Sequence, residues 1–292
     1  PYTRGQMATT TAPTNVSRSS YWRELWERRD FTLHLARGSL ASRVAGTTLG
    51  RVWWLINPLL MSGVYFLVFG VIIKGTSRSN SGFLAYLIVG VLVFRFLSVG
   101  LLGSGQIIIS NTKLIANLRF PRMVLPLAAV IDALVTFLAG LAVFYLLVTP
   151  VSCLQAVGNS DITCITPTYR IALLPVAVVI QFAFTLGIGA WVARIIVPNR
   201  DARNLIPHLT RIWFYLSPIL WGVERLTNQS EFLQALIKTN PMFSMLSIYR
   251  TALINDPFEP TMLALAAAWA VFMLIFGVWS FRRHEAAMAR YV

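Results

Sequence analysis

Two charged side chains, Arg95 and Asp132, lie deep inside long apolar stretches of the chain. A lone charge in hydrocarbon costs at least about 2.5 kcal/mol, so such residues usually pair or face a polar path. Each lies about 12 Å, at 1.5 Å per residue, from the inner end that we expect for its stretch. Equal depth on consecutive antiparallel helices predicts an intramembrane ion pair; extension of Arg95 to water is the alternative.

The other reactive residue types are scattered. His34, His208 and His284 are far apart, and Cys153 and Cys164 form no CxxC or Cys/His group with the spacing of a metal site. The sequence contains no GxxxxGK[ST] phosphate loop, no HExxH and no GxSxG motif. We therefore expect no catalytic residue, no metal and no cofactor on this chain.

The composition indicates the class of protein that holds these residues. Of 292 residues, 56% are apolar and only 12% are charged, and the mean hydropathy is +0.65. A soluble domain of this size has too little interior to bury so much apolar surface. The sequence predicts an all-α integral membrane protein.

Six stretches are long enough to cross a bilayer core about 30 Å thick. They are Val52–Ile73, Phe83–Gly103, Val124–Thr149, Ile171–Ala193, Leu205–Val223 and Met262–Phe281. Most Lys and Arg residues fall on the side that both termini share, which predicts cytoplasmic termini. The net charge of +14 then reflects topology and contact with anionic membrane lipids, and we expect no nucleic-acid partner.

The segments around these stretches suggest three regions. We expect residues 1–20 to be an expression scar and a disordered tail, 21–50 an amphipathic helix, and 51–292 the membrane domain. The basic, Trp-containing helix suits the cytoplasmic interface; packing on another subunit is an equal alternative. Between the fifth and sixth stretches, Phe232–Ile237 and Met242–Ile254 are too short to cross and are separated by Asn240-Pro241. This pattern predicts re-entrant helices, with a covered outer loop as the alternative.

Cys153 and Cys164 both fall in the outer connection after the third stretch, on the oxidising side of the membrane. Because the chain has no other cysteine, we expect them to form a disulfide that stiffens this connection.

Several short motifs, in order along residues 20 to 285, resemble the permease subunit of bacterial ABC exporters of polysaccharide, the Wzm type. They are Arg29-Asp30, Thr48-Leu49-Gly50, Trp53-Trp54 with Asn57-Pro58, Ser110-Asn111, Lys113-Leu114-Ile115, Phe120-Pro121-Arg122, Asn199-Arg200-Asp201, Trp213 through Pro218, Asn240-Pro241-Met242 and Arg250. One departure is Phe94-Arg95-Phe96, where relatives tend to have a Trp-Gln-Phe-like stretch.

The resemblance implies a homodimer in the bacterial inner membrane, working with two copies of a separate ATPase subunit that binds ATP and Mg²⁺. The cargo would be a lipid-linked polysaccharide that passes between the two permeases. The Arg-rich composition favours a cell-wall galactan, with O-antigen or teichoic acid as alternatives. Arg95 could then face the tunnel and contact the pyrophosphate of the carrier lipid.

Two sets of residues become candidates for this function. Aromatic faces stack on sugar rings with little directional demand, and belt anchoring or packing is the alternative role for them. The tunnel candidates are Tyr65, Phe66, Phe69, Trp213, Phe214, Tyr215 and Trp221. The connection from Ser104 to Met123 is expected to contact the ATPase, through Lys113, Leu114, Ile115, Arg119 and Arg122; a solvated loop is the alternative.

Two other classes of function stay open on the sequence alone. A proton-coupled carrier is disfavoured because Asp132 is the only carboxylate within the six stretches. A non-transporting membrane scaffold is the third possibility. ATP hydrolysis that needs a soluble partner, or transport driven by a pH gradient without ATP, would separate the first two.

Overall fold

The computed structural model describes residues 23, 25–44, 52–68, 80–117, 120–158, 164–222 and 230–288. Nearly all of these are helical, and no strand occurs among them, which confirms the all-α part of the predicted fold class. The helices are α1 Arg29–Val44, α2 Trp53–Tyr65, α3 Asn80–Ser110, α4 Thr112–Asn117, α5 Val124–Gly158, α6 Leu173–Ile196, α7 Arg200–Leu216, α8 Glu231–Lys238, α9 Pro241–Ile254 and α10 Pro260–Met288.

Four segments within these ranges are helical, long and apolar enough to cross a membrane. They are Gly82–Ser110, Val124–Pro150, Tyr169–Ile196 and Pro260–Glu285. These correspond to the second, third, fourth and sixth predicted stretches. The structure thus supports four of the six predicted spans.

The first and fifth predicted stretches have a different form. Helix α2 has 13 residues, and residues 69–73 of the first stretch lie outside the described part of the chain. Helix α7 has 17 residues and ends at Leu216, so a single fifth helix reaching Val223 is wrong. Ser217 is extended, as expected for a residue that precedes a proline.

Helix α3 is central because it packs against both α5 and α6. The Phe96 ring stacks on that of Phe137 in α5, with centroids 5.1 Å apart. On the α6 side, the buried Gln181 amide donates to the Val93 carbonyl over 2.7 Å. This bond satisfies the amide nitrogen, whereas the buried Oε1 atom of Gln181 makes no hydrogen bond among the described residues.

Helices α6 and α10 approach each other until their backbones touch. A Cβ atom built on Gly277 would lie 1.9 Å from the Gly187 carbonyl oxygen, and one built on Gly187 would lie 2.2 Å from the Met273 carbonyl oxygen. Only glycine fits at either position. Small residues allow this kind of close helix packing where the surrounding lipid offers no hydrophobic drive to associate.

The amphipathic helix expected near the amino end is present as α1, which packs on α5 of its own chain. Thr32 and Ala36 on its inner side are buried, and the Phe31 ring meets that of Phe120 edge-on at 5.6 Å. Trp26, just before α1, is exposed. The packed face is therefore intramolecular, while the opposite face is accessible.

The connection between α8 and α9 follows the predicted break. The Asn240 side chain caps α9 by accepting a hydrogen bond from the Met242 amide over 3.0 Å, and Pro241 occupies the first turn. Most of α9 is buried, and the helix ends at Asn255, whose φ of 60° is left-handed.

Helix α5 extends beyond its predicted end at Thr149, through Pro150 to Gly158. Cys153 therefore lies on a helix, and its sulfur atom is bonded to that of Cys164, with Cα atoms 4.4 Å apart. The Ser152 hydroxyl accepts a hydrogen bond from the Ile165 amide over 3.1 Å, which fixes the same segment.

We expect the purified protein to take up no maleimide-polyethylene glycol in denaturant unless it is first reduced. Cys153→Ser should expose one reactive thiol at Cys164 and lower the free energy of unfolding by about 2 to 3 kcal/mol in the entropic account. A gel-shift assay with and without reductant measures this directly. Labelling of the unreduced wild type would contradict the disulfide.

Candidate functional site

Two motif residues from further along the chain, Asn240 and Arg250, hold the break after α7. The Trp213 indole donates to the Asn240 side-chain oxygen over 2.9 Å, and the Asn240 amide donates to the Ser217 hydroxyl over 3.3 Å. Ser217 in turn donates to the Trp213 carbonyl over 2.9 Å. The cap of α9 is therefore also the anchor of the end of α7.

Arg250 joins α9 to the same break from the inside of the protein. Its side chain is 3% exposed, and its Nη2 donates to the Pro218 carbonyl over 2.5 Å. Its guanidinium carbon lies 3.4 Å from the ring centroid of Tyr86 in α3. The Tyr86 hydroxyl reaches the Pro218 and Trp221 carbonyls at 3.1 and 3.0 Å.

This arrangement explains why the separated motifs occur together. Trp213 to Pro218, Asn240 and Arg250 meet at one point, which we call the α7 break. All three are sequence motifs, whereas Tyr86 belongs to none of them. A tyrosine inside an apolar stretch has no spacing signal, because its importance depends on a partner 132 residues away.

Several of the predicted tunnel aromatics form one cluster beside the α7 break. Phe214 contacts the rings of Tyr65, Phe94 and Tyr215 at centroid distances of 5.6, 5.2 and 5.4 Å. Trp213 packs on Phe94 at 6.2 Å. The rings are thus held in place by neighbouring rings from α2 and α3.

The members of this cluster differ in accessibility. Trp213 and Phe214 are half-buried, whereas Tyr215 is 52% exposed. The Trp221 indole donates to the Tyr215 carbonyl over 3.3 Å, which brings it to the same place. Phe66 also packs against the core, and Phe69 lies outside the described residues.

Helix α7 presents a broad unpacked surface next to the cluster. One row on this surface is apolar, and a second row carries polar and aromatic groups. The apolar row is Leu205, Leu209, Ile212 and Leu216, and the second row is Asn204, His208, Arg211 and Tyr215. Positions three and four apart lie on one helix face, so both rows are continuous.

The residues predicted to contact an ATPase lie at α4 and the turn after it. Lys113 is exposed, Leu114 is half-buried, and Ile115 is only 9% exposed and packs in a core cluster with Ala36. Arg122 donates from its amide to the Glu285 carboxylate over 2.7 Å and from its Nη1 to the Glu285 carbonyl over 2.5 Å. Arg119 lies outside the described residues.

The end of α10 is also bonded to α6 at this side. Arg194 donates to the Ser280 hydroxyl over 2.6 Å, and its Nη2 lies 3.1 Å from the His284 Nε2. The other ring nitrogen of His284 lies 3.0 Å from the Ser280 carbonyl oxygen. The carboxyl-terminal part of α10 is thus fixed to the start of α5 and the end of α6.

The two intramembrane charges lie on adjacent helices but are not level. Gly140 faces Leu92, and Phe96 stacks on Phe137, so the antiparallel register places Asp132 about 8 Å along the axis from Arg95. The expected equal depth is therefore wrong. The reason is that α3 continues past Gly103 to Ser110.

Their surroundings also differ. Asp132 is fully buried and lines a cavity of about 540 Å³ with His34, Gln106 and Asn111. Arg95 lines a separate small pocket between α3 and α5 that includes Thr136. The ion pair between the two stays a prediction.

The chain is similar in sequence to known export permeases. The O-antigen export system permease protein RfbA of Myxococcus xanthus is 29% identical over 253 residues, which cover 86% of this chain and 91% of that protein. Two proteins of the same name from Klebsiella pneumoniae are 21% and 22% identical over 87% and 77% of this chain, and the matches span 92% and 81% of their own lengths. No protein-family model matches the chain. Similarity along most of both lengths agrees with the motifs that meet at the α7 break, and it supports the resemblance of this chain to the Wzm-type permeases of bacterial ABC exporters.

Proposed function

We propose that the protein is the permease half of an ATP-driven exporter of lipid-linked polysaccharide in the bacterial inner membrane, with both termini in the cytoplasm. Two copies would form the tunnel and two copies of a separate ATPase subunit would bind ATP and Mg²⁺. The observation that carries this proposal is the aromatic cluster held beside the exposed surface of α7. The similar O-antigen export permeases support the same class of cargo.

The exposed surface of α7 suits the position between two copies. Its apolar row, represented by Leu209, would pack against the second copy or lipid, and the row with Tyr215 would face the polysaccharide. This proposal includes six membrane spans, of which α2 and α7 would form the first and the fifth. It also includes a re-entrant placement of α8 and α9. A wall that offers ring faces and few buried hydrogen-bond donors binds sugars weakly, as a moving polymer requires.

For the cargo we propose a cell-wall galactan, with O-antigen as the second candidate. The test is reconstitution in proteoliposomes with a co-expressed ATPase subunit, followed by measurement of ATP hydrolysis and export. Stimulation by lipid-linked galactan above that by lipid-linked O-antigen supports the galactan. Export driven by a pH gradient without ATP would instead favour a proton-coupled carrier, for which the buried Asp132 is the one observation in support.

Coupling to the ATPase is proposed to occur at α4. Because Ile115 is buried, an Ile115→Asp change tests the fold as well as coupling, so the exposed Lys113 is the cleaner site. We expect Lys113→Glu with Leu114→Asp to lower export at least about tenfold, a loss worth about 1.4 kcal/mol, while ATP hydrolysis continues. Lys238→Glu, the same charge reversal on exposed α8, is the matched control. Export at the wild-type level in the α4 variant would reject this role.

We propose that Arg95 and Asp132 form an ion pair despite their stagger of about 8 Å along the helix axis, since an extended arginine side chain spans most of that stagger. Arg95→Asp and Asp132→Arg should each reduce expression and export, and the double variant should recover part of both, because pairing offsets a penalty of at least about 2.5 kcal/mol. A harmless Asp132→Asn combined with a loss of export in Arg95→Gln would favour contact of Arg95 with the cargo.

A further inference from the structure

Arg203 is a charged residue that the proposed mechanism does not use. It lies in the first turn of α7, and its Nε atom is buried without a hydrogen-bond partner among the described residues. No ion pair or hydrogen bond links the side chain to another residue in the described ranges. A buried N–H group without a partner is costly, and an anion bound beside Arg203 would offset that cost.

Arg203 lines a cavity of about 350 Å³ between α3, α6 and α7. Val99, Leu102, Ile196 and Pro207 supply apolar walls, and Gln106 supplies a second hydrogen-bonding side chain. This volume lies within the range of small-ligand sites in proteins. Its chemistry suits a ligand that has one anionic oxygen-rich group attached to hydrocarbon.

The start of α7 adds to the attraction for an anion. Asn199 precedes the helix but makes no capping bond to it, because its amide donates back to the Ile195 carbonyl over 3.1 Å. Asn199 therefore supplies no acceptor for the backbone amides in the first turn of α7. The positive end of the helix dipole also favours negative charge at this end of α7. Asp201 is exposed and makes no bond to Arg203.

We propose that this cavity binds the phosphate group of a lipid, with Arg203 and Gln106 as donors to the phosphate oxygens and the apolar walls around the adjoining hydrocarbon. The site is independent of the export function and needs no ATPase. Arg203 forms charge-assisted hydrogen bonds to phosphate more strongly than neutral donors do. Gln106 also lines the larger cavity beside Asp132, so the two spaces adjoin at α3.

The test measures thermal stabilisation of the purified, delipidated permease in detergent. The probes are dioctanoyl phosphatidic acid, dioctanoylglycerol with the same chains but no phosphate, and inorganic phosphate. We expect the phosphatidic acid to raise the melting temperature in a saturable manner. Arg203→Gln should weaken its apparent affinity about tenfold, as expected for the loss of one charged hydrogen-bonding contact.

Arg200→Gln is the matched control, because it removes the same charge from the same helix end but from an exposed side chain outside the cavity. It should bind phosphatidic acid like the wild type. Equal loss in Arg200→Gln, an unchanged affinity in Arg203→Gln, or an equal response to dioctanoylglycerol would overturn the proposal. Saturable stabilisation by inorganic phosphate that Arg203→Gln abolishes would support the phosphate contact and assign it to the free anion.

Discussion

Replacing Gly277 with alanine is expected to lower the yield of folded protein severely. The single added Cβ atom would lie 1.9 Å from the Gly187 carbonyl oxygen and 2.5 Å from its carbon, both of which belong to backbone. No side-chain rotation relieves such a contact, so α6 and α10 must separate along their shared length. We expect a loss of at least about 3 kcal/mol in the free energy of unfolding, the upper range for overpacking.

The measurement is the yield of monodisperse protein after detergent extraction, together with its melting temperature. Gly187→Ala should behave similarly, because its Cβ atom would meet the backbone of Met273 and Leu274. Gly63→Ala is the control, since that glycine lies on exposed α2 with no atom within 4 Å of the added carbon. A wild-type melting temperature for Gly277→Ala would show that the helices do not approach this closely.

The second large effect is expected for Arg250→Met. Methionine has a similar length, but it removes the hydrogen bond to the Pro218 carbonyl and the cation above the Tyr86 ring. Hydrogen bonds from charged groups contribute about 1.5 to 3 kcal/mol, and a desolvated cation–π contact about 2 kcal/mol. We expect the α7 break to loosen and export to be lost even where protein is still recovered.

Two further variants identify the cause. Arg250→Lys keeps the charge but lacks the planar donor group, so it should be intermediate. Tyr86→Phe keeps the ring and removes only the hydroxyl contacts, so it should have the smaller effect. Arg200→Met removes an exposed arginine and is the control. Equal melting temperatures and equal export for Arg250→Met and Arg200→Met would contradict a structural role for Arg250.

The limits of sequence reasoning are visible at the helix ends. Hydropathy ended the second stretch at Gly103, but α3 continues to Ser110 because Gln106 and Ser110 border a cavity, where a polar side chain carries little penalty. The fifth stretch combined apolar residues from both sides of Pro218, so the break inside it was missed. The break between α8 and α9 was predicted well, since Asn240-Pro241 is a local cap signal.

The candidate site was predictable only in its parts. Motifs identified Trp213, Asn240 and Arg250, yet nothing in their spacing indicated that they meet. Tyr86, Gly187 and Gly277 depend on neighbours that only the folded chain brings near. Ile115 was predicted as a contact residue from the motif, but it is only 9% exposed and belongs to a core cluster that includes Ala36 of α1.

The backbone contact between α6 and α10 also has a mechanical consequence. Helices that touch at Gly187 and Gly277 have no side-chain layer to deform between them at these residues, so we expect the pair to move as one stiff lever. The lever is as long as α10, about 44 Å for 29 residues at 1.5 Å each. Arg122, in the turn between α4 and α5, donates to Glu285 near the carboxyl end of α10, and Arg194 of α6 donates to Ser280 in the same part of α10. If the proposed ATPase contact at α4 delivers a push to this end of the pair, we expect the push to reach the far end as a tilt, with little of the displacement absorbed on the way.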